Sequence, residues 1–171
     1  MMYNRINHYT GTKGREKMEF LYPYESQLPE CQLIVESGKL AVRGYRTRKH
    51  VFNGIEKDVI YPGWYPEDEP DDIFGEHSKE DQKQIHRNIN RAKAEAEHLL
   101  LPEQIREIRE SLGLNQEEAS IKIGGGKRAF QRYESGDILP SRALSNLLLL
   151  LKDDPSKINS ILKFTIPSDY E

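Results

Sequence analysis

The sequence predicts an α+β chain: a small antiparallel β-rich N-terminal domain, a connecting helix and a C-terminal domain of five helices that holds a helix-turn-helix. Three observations predict it. Short runs of β-branched and aromatic residues between residues 32 and 61 are broken by turn signals, "ESGK" and Asn53-Gly54. From residue 85 onward apolar residues recur every three or four positions, the period of a helix face. Three consecutive glycines, Gly124 to Gly126, separate two short amphipathic stretches where a tight turn between helices needs unusual backbone angles. The expected divisions are residues 1–77, the connecting helix 78–100, the helical domain 101–164 and a tail 165–171.

The bulk composition fits a modular chain. The 171 residues suffice for one ordinary domain or two small ones. Hydrophobic residues make up 36% and charged residues 31%, polar for one compact globule. The net charge of -3 neither demands nor excludes nucleic acid, because a local patch matters more than a sum. A single cysteine, Cys31, rules out an intrachain disulfide and a multi-cysteine zinc site. No apolar run reaches the length of a membrane span, and the N-terminus lacks the shape of a signal peptide. The expected compartment is the cytoplasm, with no membrane partner.

Residues 1–30 lack a clear period and read as an irregular start. "QLIVESGKLAVRGY" and "KHVFNGIEKDVIY" each read as a hairpin, together a sheet of three or four strands over residues 32–61. The prolines, glycine and acids of "YPGWYPEDEPDD" are expected to end regular structure. Residues 61–78 hold six acids and no Lys or Arg. This block is either a solvated linker or a surface for a basic partner.

Ser78 can cap the next helix, with Asp81 at its third position. Ile85, Ile89, Ala92, Ala96 and Leu99 form a stripe of small volume, expected to connect two lobes rather than build a core. Leu101, Ile105, Ile108 and Leu112 mark the next helix, which Gly113 stops. Asn115 caps a short helix, with Glu118 completing a capping box. A helix carrying "KRAFQRYES" follows the glycines. "SRALSNLLLLLKD" and "DPSKINSILK" supply the last two, with Asp154 as a cap and Pro155 in the first turn. The leucine run 147–151 is either buried within one chain or part of a dimer interface.

The glycines fit no nucleotide loop. A phosphate loop needs Lys followed by Ser or Thr, after a strand; here Arg128 follows Lys127 and a helix precedes. A helix-turn-helix accommodates them, the second helix entering the major groove. Ala129, Phe130 and Tyr133 then face the core. Lys127, Arg128, Gln131 and Arg132 remain outward, of types that donate to guanine, adenine or phosphate. The helix N-terminus favours phosphate as well. Glu134 would repel DNA, so it is expected inside, hydrogen-bonded to an arginine or the backbone.

"LNQEEAS", "GGGKRAFQRYESG", a proline and an apolar helix together resemble the MqsA-type antitoxins, a branch of the Xre/Cro-like helix-turn-helix proteins. The resemblance spans residues 101–164 and implies an Xre-like five-helix domain that dimerises and represses transcription from a palindromic operator. It implies base contacts from Arg128 and Arg132; Lys127 and Gln131 are assigned to bases beside them from their side-chain types. Arg128 stands where the founding member carries asparagine, which implies a different operator base. Gln116 is implied at phosphate, and Asn115 and Gly126 are assigned to phosphate with it. The family's N-terminal half is a β-rich zinc domain with paired Cys-x-x-Cys motifs that grips a toxin. Here Tyr61 and Trp64 stand where such a pair would be. Cys31, His50 and His77 make a metal set only on paper, so no metal and no cofactor are expected.

These readings lead to a DNA-binding repressor that is also the antitoxin of a type II toxin–antitoxin pair. Trp64, Asp68 and Asp71 are its candidate toxin contacts, and the acidic loop 67–72 suits a basic, RNA-cleaving toxin. The alternative is a toxin-independent helix-turn-helix regulator of a mobile element or phage. An enzyme is not expected, because no nucleophile–base pair or nucleotide loop stands out.

Overall fold

The computed structural model describes residues 8–9, 22, 24, 27–33, 38–66 and 75–162. The chain is mixed α+β, an antiparallel sheet followed by helices. It divides into two compact units, Met1–Ala92 and Lys93–Glu171. The acidic loop 67–72, the tail 165–171 and most of the irregular start lie outside the described residues.

The first unit is built on strand β3, Leu40–Phe52. β4, Ile55–Pro66, pairs antiparallel with it from Phe52↔Ile55 to Ala41↔Pro66. The short β1, His8–Tyr9, and β2, Cys31–Leu33, pair with β3 along its other edge. Asn53 and Gly54 turn the long hairpin at φ of 49° and 83°, the left-handed pair that an Asn-Gly turn supplies.

β4 runs on through "YPGWYP", where the sequence reading ended it. The reason is the phase of its hydrogen bonds. Trp64 directs its N–H and C=O outward, exchanging bonds of 2.9 and 3.0 Å with Glu76. Pro62 and Pro66 share that phase, so neither removes a donor from the β3 ladder. Gly63 permits the close pass of residues 75–78, since a Cβ there would lie 2.6 Å from His77 Nδ1.

Helix α1 spans Lys79–Ala96. Ser78 Oγ accepts from the Asp81 N–H at 3.0 Å, and the Asp81 carboxylate accepts from the Ser78 N–H at 2.8 Å. The stripe on α1 does build core, contrary to its small volume. Ile85, Ile89 and Ala92 pack with Phe52, Val59 and Tyr61, because the sheet's aromatic rings supply the bulk that the helix lacks.

The second unit contains α2, Pro102–Ser111; α3, Gln116–Lys122; α4, Ala129–Glu134; and α5, Arg142–Asp153. A 3-10 turn, Pro155–Lys157, leads into α6, Ile158–Leu162. Gly113 leaves α2 at φ 68°, and Ser141 and Asp154 cap the segments that follow them. Leu100, Ile105, Ile108, Leu114, Ala119, Phe130 and Leu148 form one buried cluster. Of the leucine run, Leu148 and Leu151 are buried, whereas Leu149 and Leu150 are 46% and 56% exposed. Among the described residues, no helix is long and apolar enough to cross a membrane.

Candidate nucleic-acid interface

The candidate surface is built on α3, the glycine turn and α4. Asn115 and Glu118 form the full capping box, each side chain accepting from the other's backbone N–H at 2.9 and 2.8 Å. Gly124, Gly125 and Gly126 all adopt positive φ, between 97° and 108°. Space as well as φ fixes Gly125, where a Cβ would come within 2.8 Å of the Ala129 Cβ. The Ala129 N–H then donates to the Gly126 carbonyl, closing a turn.

That turn shortens the helix that follows. The sequence reading put Lys127 and Arg128 on it, but Arg128 has φ -129° and ψ 22° and α4 begins only at Ala129. Lys127 and Arg128 therefore sit on the turn leading into α4, directly after the glycine turn that holds Gly126. Ala129 and Phe130 are buried, with Tyr133 set edge-on to Phe130 at 5.9 Å.

Two contacts fix α4 on its neighbours. The Ser120 hydroxyl donates to the Gln116 carbonyl at 2.7 Å and accepts from the Phe130 N–H at 3.2 Å, so a free donor of the first turn of α4 is met from α3. Glu134, 5% exposed, turns inward. Arg109 grips it with two bonds of 2.6 and 3.1 Å, Gln116 Nε2 donates at 2.8 Å, and Arg106 Nε stands 3.4 Å away. Arg109 also donates to the Leu114 carbonyl at 2.8 Å. Burial alone would raise the Glu134 carboxyl, but the bonds from Arg109 and Gln116, with the charges of Arg109 and Arg106, outweigh it and hold it below the usual carboxylate range. The inward placing of Glu134 by an arginine was legible in the sequence.

What remains outward is cationic and open. Lys127, Arg128, Gln131 and Arg132 are exposed, and none of their side chains makes a hydrogen bond or ion pair with another described residue. Lys127, Arg128 and Gln131 line one concavity of about 350 Å³ together with Gln116, Glu117 and Ser120. Arg132 is outside that lining, and Asn115 has its side-chain oxygen committed to the cap. The sequence reading missed Ser120 and Glu117. Ser120 could have been found, since it stands four residues after Gln116 and so on the same helix face.

The N-terminal candidates fall differently. Trp64 is buried, its Nε1 donating to the Pro29 carbonyl at 2.8 Å, so its ring supports the sheet from within. Asp68 and Asp71 lie outside the described residues.

Residues 34–162 match the family described as the antitoxin component of a bacterial toxin–antitoxin system, MqsA. The chain belongs to the MqsA antitoxin family. Over 71 residues it is 42% identical to antitoxin MqsA of Escherichia coli (strain K12), which is 42% of this chain and 53% of that relative. The chain thus aligns with about half the length of that relative.

The zinc that the resemblance to MqsA-type antitoxins brings with it does not fit the donors present. Cys31 is the one cysteine and is exposed. His77 Nδ1 is engaged with the Pro62 carbonyl at 2.7 Å, and His50 Nε2 with the Tyr61 hydroxyl at 2.7 Å. Among the described residues no three His, Cys, Asp or Glu side chains converge on one point.

Proposed function

We propose that the chain is a DNA-binding antitoxin that represses its own promoter as a dimer and neutralises a partner toxin through its N-terminal unit. One observation carries the DNA reading: four exposed side chains of base- and phosphate-reading type stand on, or just before, a helix whose only acid is locked inside. Helix-turn-helix proteins place the second helix of such a pair in the major groove. Arg128 and Arg132 are the side chains assigned to base edges, since guanidinium donors match the guanine O6 and N7 acceptors. Gln131 is assigned beside them. Lys127 supplies charge at the groove edge, and Gln116, Asn115 and the backbone at Gly126 approach phosphate. Gln116 donates one amide N–H to Glu134, which leaves the second for phosphate. In a dimer, two copies of α4 meet successive major grooves about 34–36 Å apart, so the operator is a palindrome.

Family membership supports the antitoxin half, since the matched family is described as the antitoxin component of a toxin–antitoxin system. Antitoxins act by binding, which agrees with a chain read as non-enzymatic. The toxin-gripping surface is assigned to the N-terminal unit as a whole, with the acidic loop as its complement to a basic, RNA-cleaving toxin. The test is co-expression with the immediate genomic neighbour, with only this chain tagged. A stable complex with a neighbour that is toxic alone is the expected result. A chain that elutes alone and still shifts its own promoter DNA would establish the toxin-independent regulator instead.

A further inference from the structure

We infer that the N-terminal unit has replaced a structural metal with a lock of guanidinium groups, aromatic rings and one buried carboxylate, and that it folds without zinc. A structural metal in so small a β-domain ties distant segments together where the apolar core is too thin to do so. In this chain Asp81 does that work. Its carboxylate accepts from Arg43 on β3 at 2.9 and 2.5 Å, from the Tyr24 hydroxyl at 3.0 Å and from the Ser78 N–H at 2.8 Å. Arg43 and Asp81 are 2% and 0% exposed, and 38 residues separate them in sequence. One side chain therefore joins the N-terminal segment, the sheet and the start of α1.

The arginines of β3 extend the lock along β4. Arg43 lies 4.4 Å over the Trp64 ring, Arg46 lies 4.3 Å over Tyr65, and Arg48 lies 4.1 Å over Tyr61. Stacked geometry of this kind stabilises a desolvated guanidinium. Tyr61 and Trp64 are the two positions where the resemblance places a cysteine pair, and each here carries a guanidinium. Trp64 also anchors Pro29, and its neighbour across the outer edge, Glu76, accepts from Gln32 Nε2 at 2.8 Å. The substitution removes the ligands and sets a cationic side chain against each of the two positions.

The experiment uses the full chain, purified without added metal. Bound metal is measured by elemental mass spectrometry, and thermal unfolding is followed with and without a chelator. The expected result is far less than one zinc per chain and a melting curve that the chelator does not move. About one zinc per chain, or a melting point lowered by the chelator, would overturn the inference. Two variants test the lock itself. Arg43→Lys keeps the charge but loses the fork and the ring stacking, and Asp81→Asn loses the charge; both are expected to melt several degrees below the parent. An Arg43→Lys chain that melts with the parent would also overturn it. Should either variant fail to fold, the metal and chelator measurements on the parent still decide. DNA binding and toxin capture enter neither readout, so the inference stands or falls apart from the proposed function.

Discussion

Two buried carboxylates, one in each unit, organise this protein at the scale of single residues. Glu134 holds α4 through Arg109, and Asp81 holds the sheet to α1 through Arg43. In both, burial pushes the carboxyl up while arginine bonds and charge pull it further down, so each titrates below its ordinary value. Groups depressed in the folded state contribute stability that is complete above the unfolded value, near pH 4, and is lost as pH falls through the folded value. His77 acts in the same direction at higher pH. Burial lowers its folded value more than the bond to the Pro62 carbonyl raises it, so the unfolded chain gains its proton first. Stability is therefore expected to slip below about pH 6.5 and to fall steeply below about pH 4. Glu134→Gln takes the buried carboxylate from Arg109 and leaves it only the exposed Glu110, 3.1 Å away, a loss of up to about 3–5 kcal/mol. Denaturant unfolding across pH should show that loss at neutral pH and a shallower acid-range decline. A variant with an unchanged midpoint would remove Glu134 from the account of α4.

At the scale of elements, what was legible in the sequence was local. The Asn53-Gly54 turn, the Asn115–Glu118 box, the Ser78 cap and the Gly113 stop each depend on residues within four positions of one another. Glu134 was legible for a different reason, because an acid on a cationic helix has few places to go. Non-local features were not legible. The passage of β4 through Pro62 and Pro66 depends on strand phase, and Asp81 looked like an ordinary first-turn acid until β3 placed Arg43 against it. The late start of α4 depends on three glycines acting together. Those glycines are not equivalent. Gly125→Ala meets both a positive φ and the Ala129 Cβ, whereas Gly124→Ala meets a positive φ with open space around it. Strained backbone of this kind costs on the order of 1–3 kcal/mol. Gly125→Ala is thus expected to lower the melting point more than Gly124→Ala, and the reverse order would show that contact with α4 does not constrain the turn.

At the scale of the whole molecule, the exposed leucines of α5 become relevant. Leu149 and Leu150 present apolar surface that the monomer leaves uncovered, while Leu148 and Leu151 complete the core. The palindromic operator proposed above would require a second copy of the chain, and this surface is the one proposed to receive it. Replacing both exposed residues, Leu149→Gln with Leu150→Gln, should convert a dimer to a monomer in analytical ultracentrifugation with little change in helix content. A double variant that stays dimeric would move the interface elsewhere. Burial of the leucine run was half legible in the sequence. Its excess of apolar surface was plain, but only the helical register of α5 separates inward from outward leucines.

The most direct test titrates the chain against its own promoter fragment and against a scrambled duplex at several salt concentrations, with Lys127→Ala, Arg128→Ala and Arg132→Ala beside the parent. The predicted result is tight binding to the promoter that weakens linearly on a log–log salt plot. Lys127→Ala should flatten that slope and weaken binding to both duplexes. Arg128→Ala and Arg132→Ala should each cost about 1–3 kcal/mol on the promoter alone. Equal affinity of the parent for both duplexes, or three variants that bind as the parent does, would contradict the assignment of this surface to operator DNA.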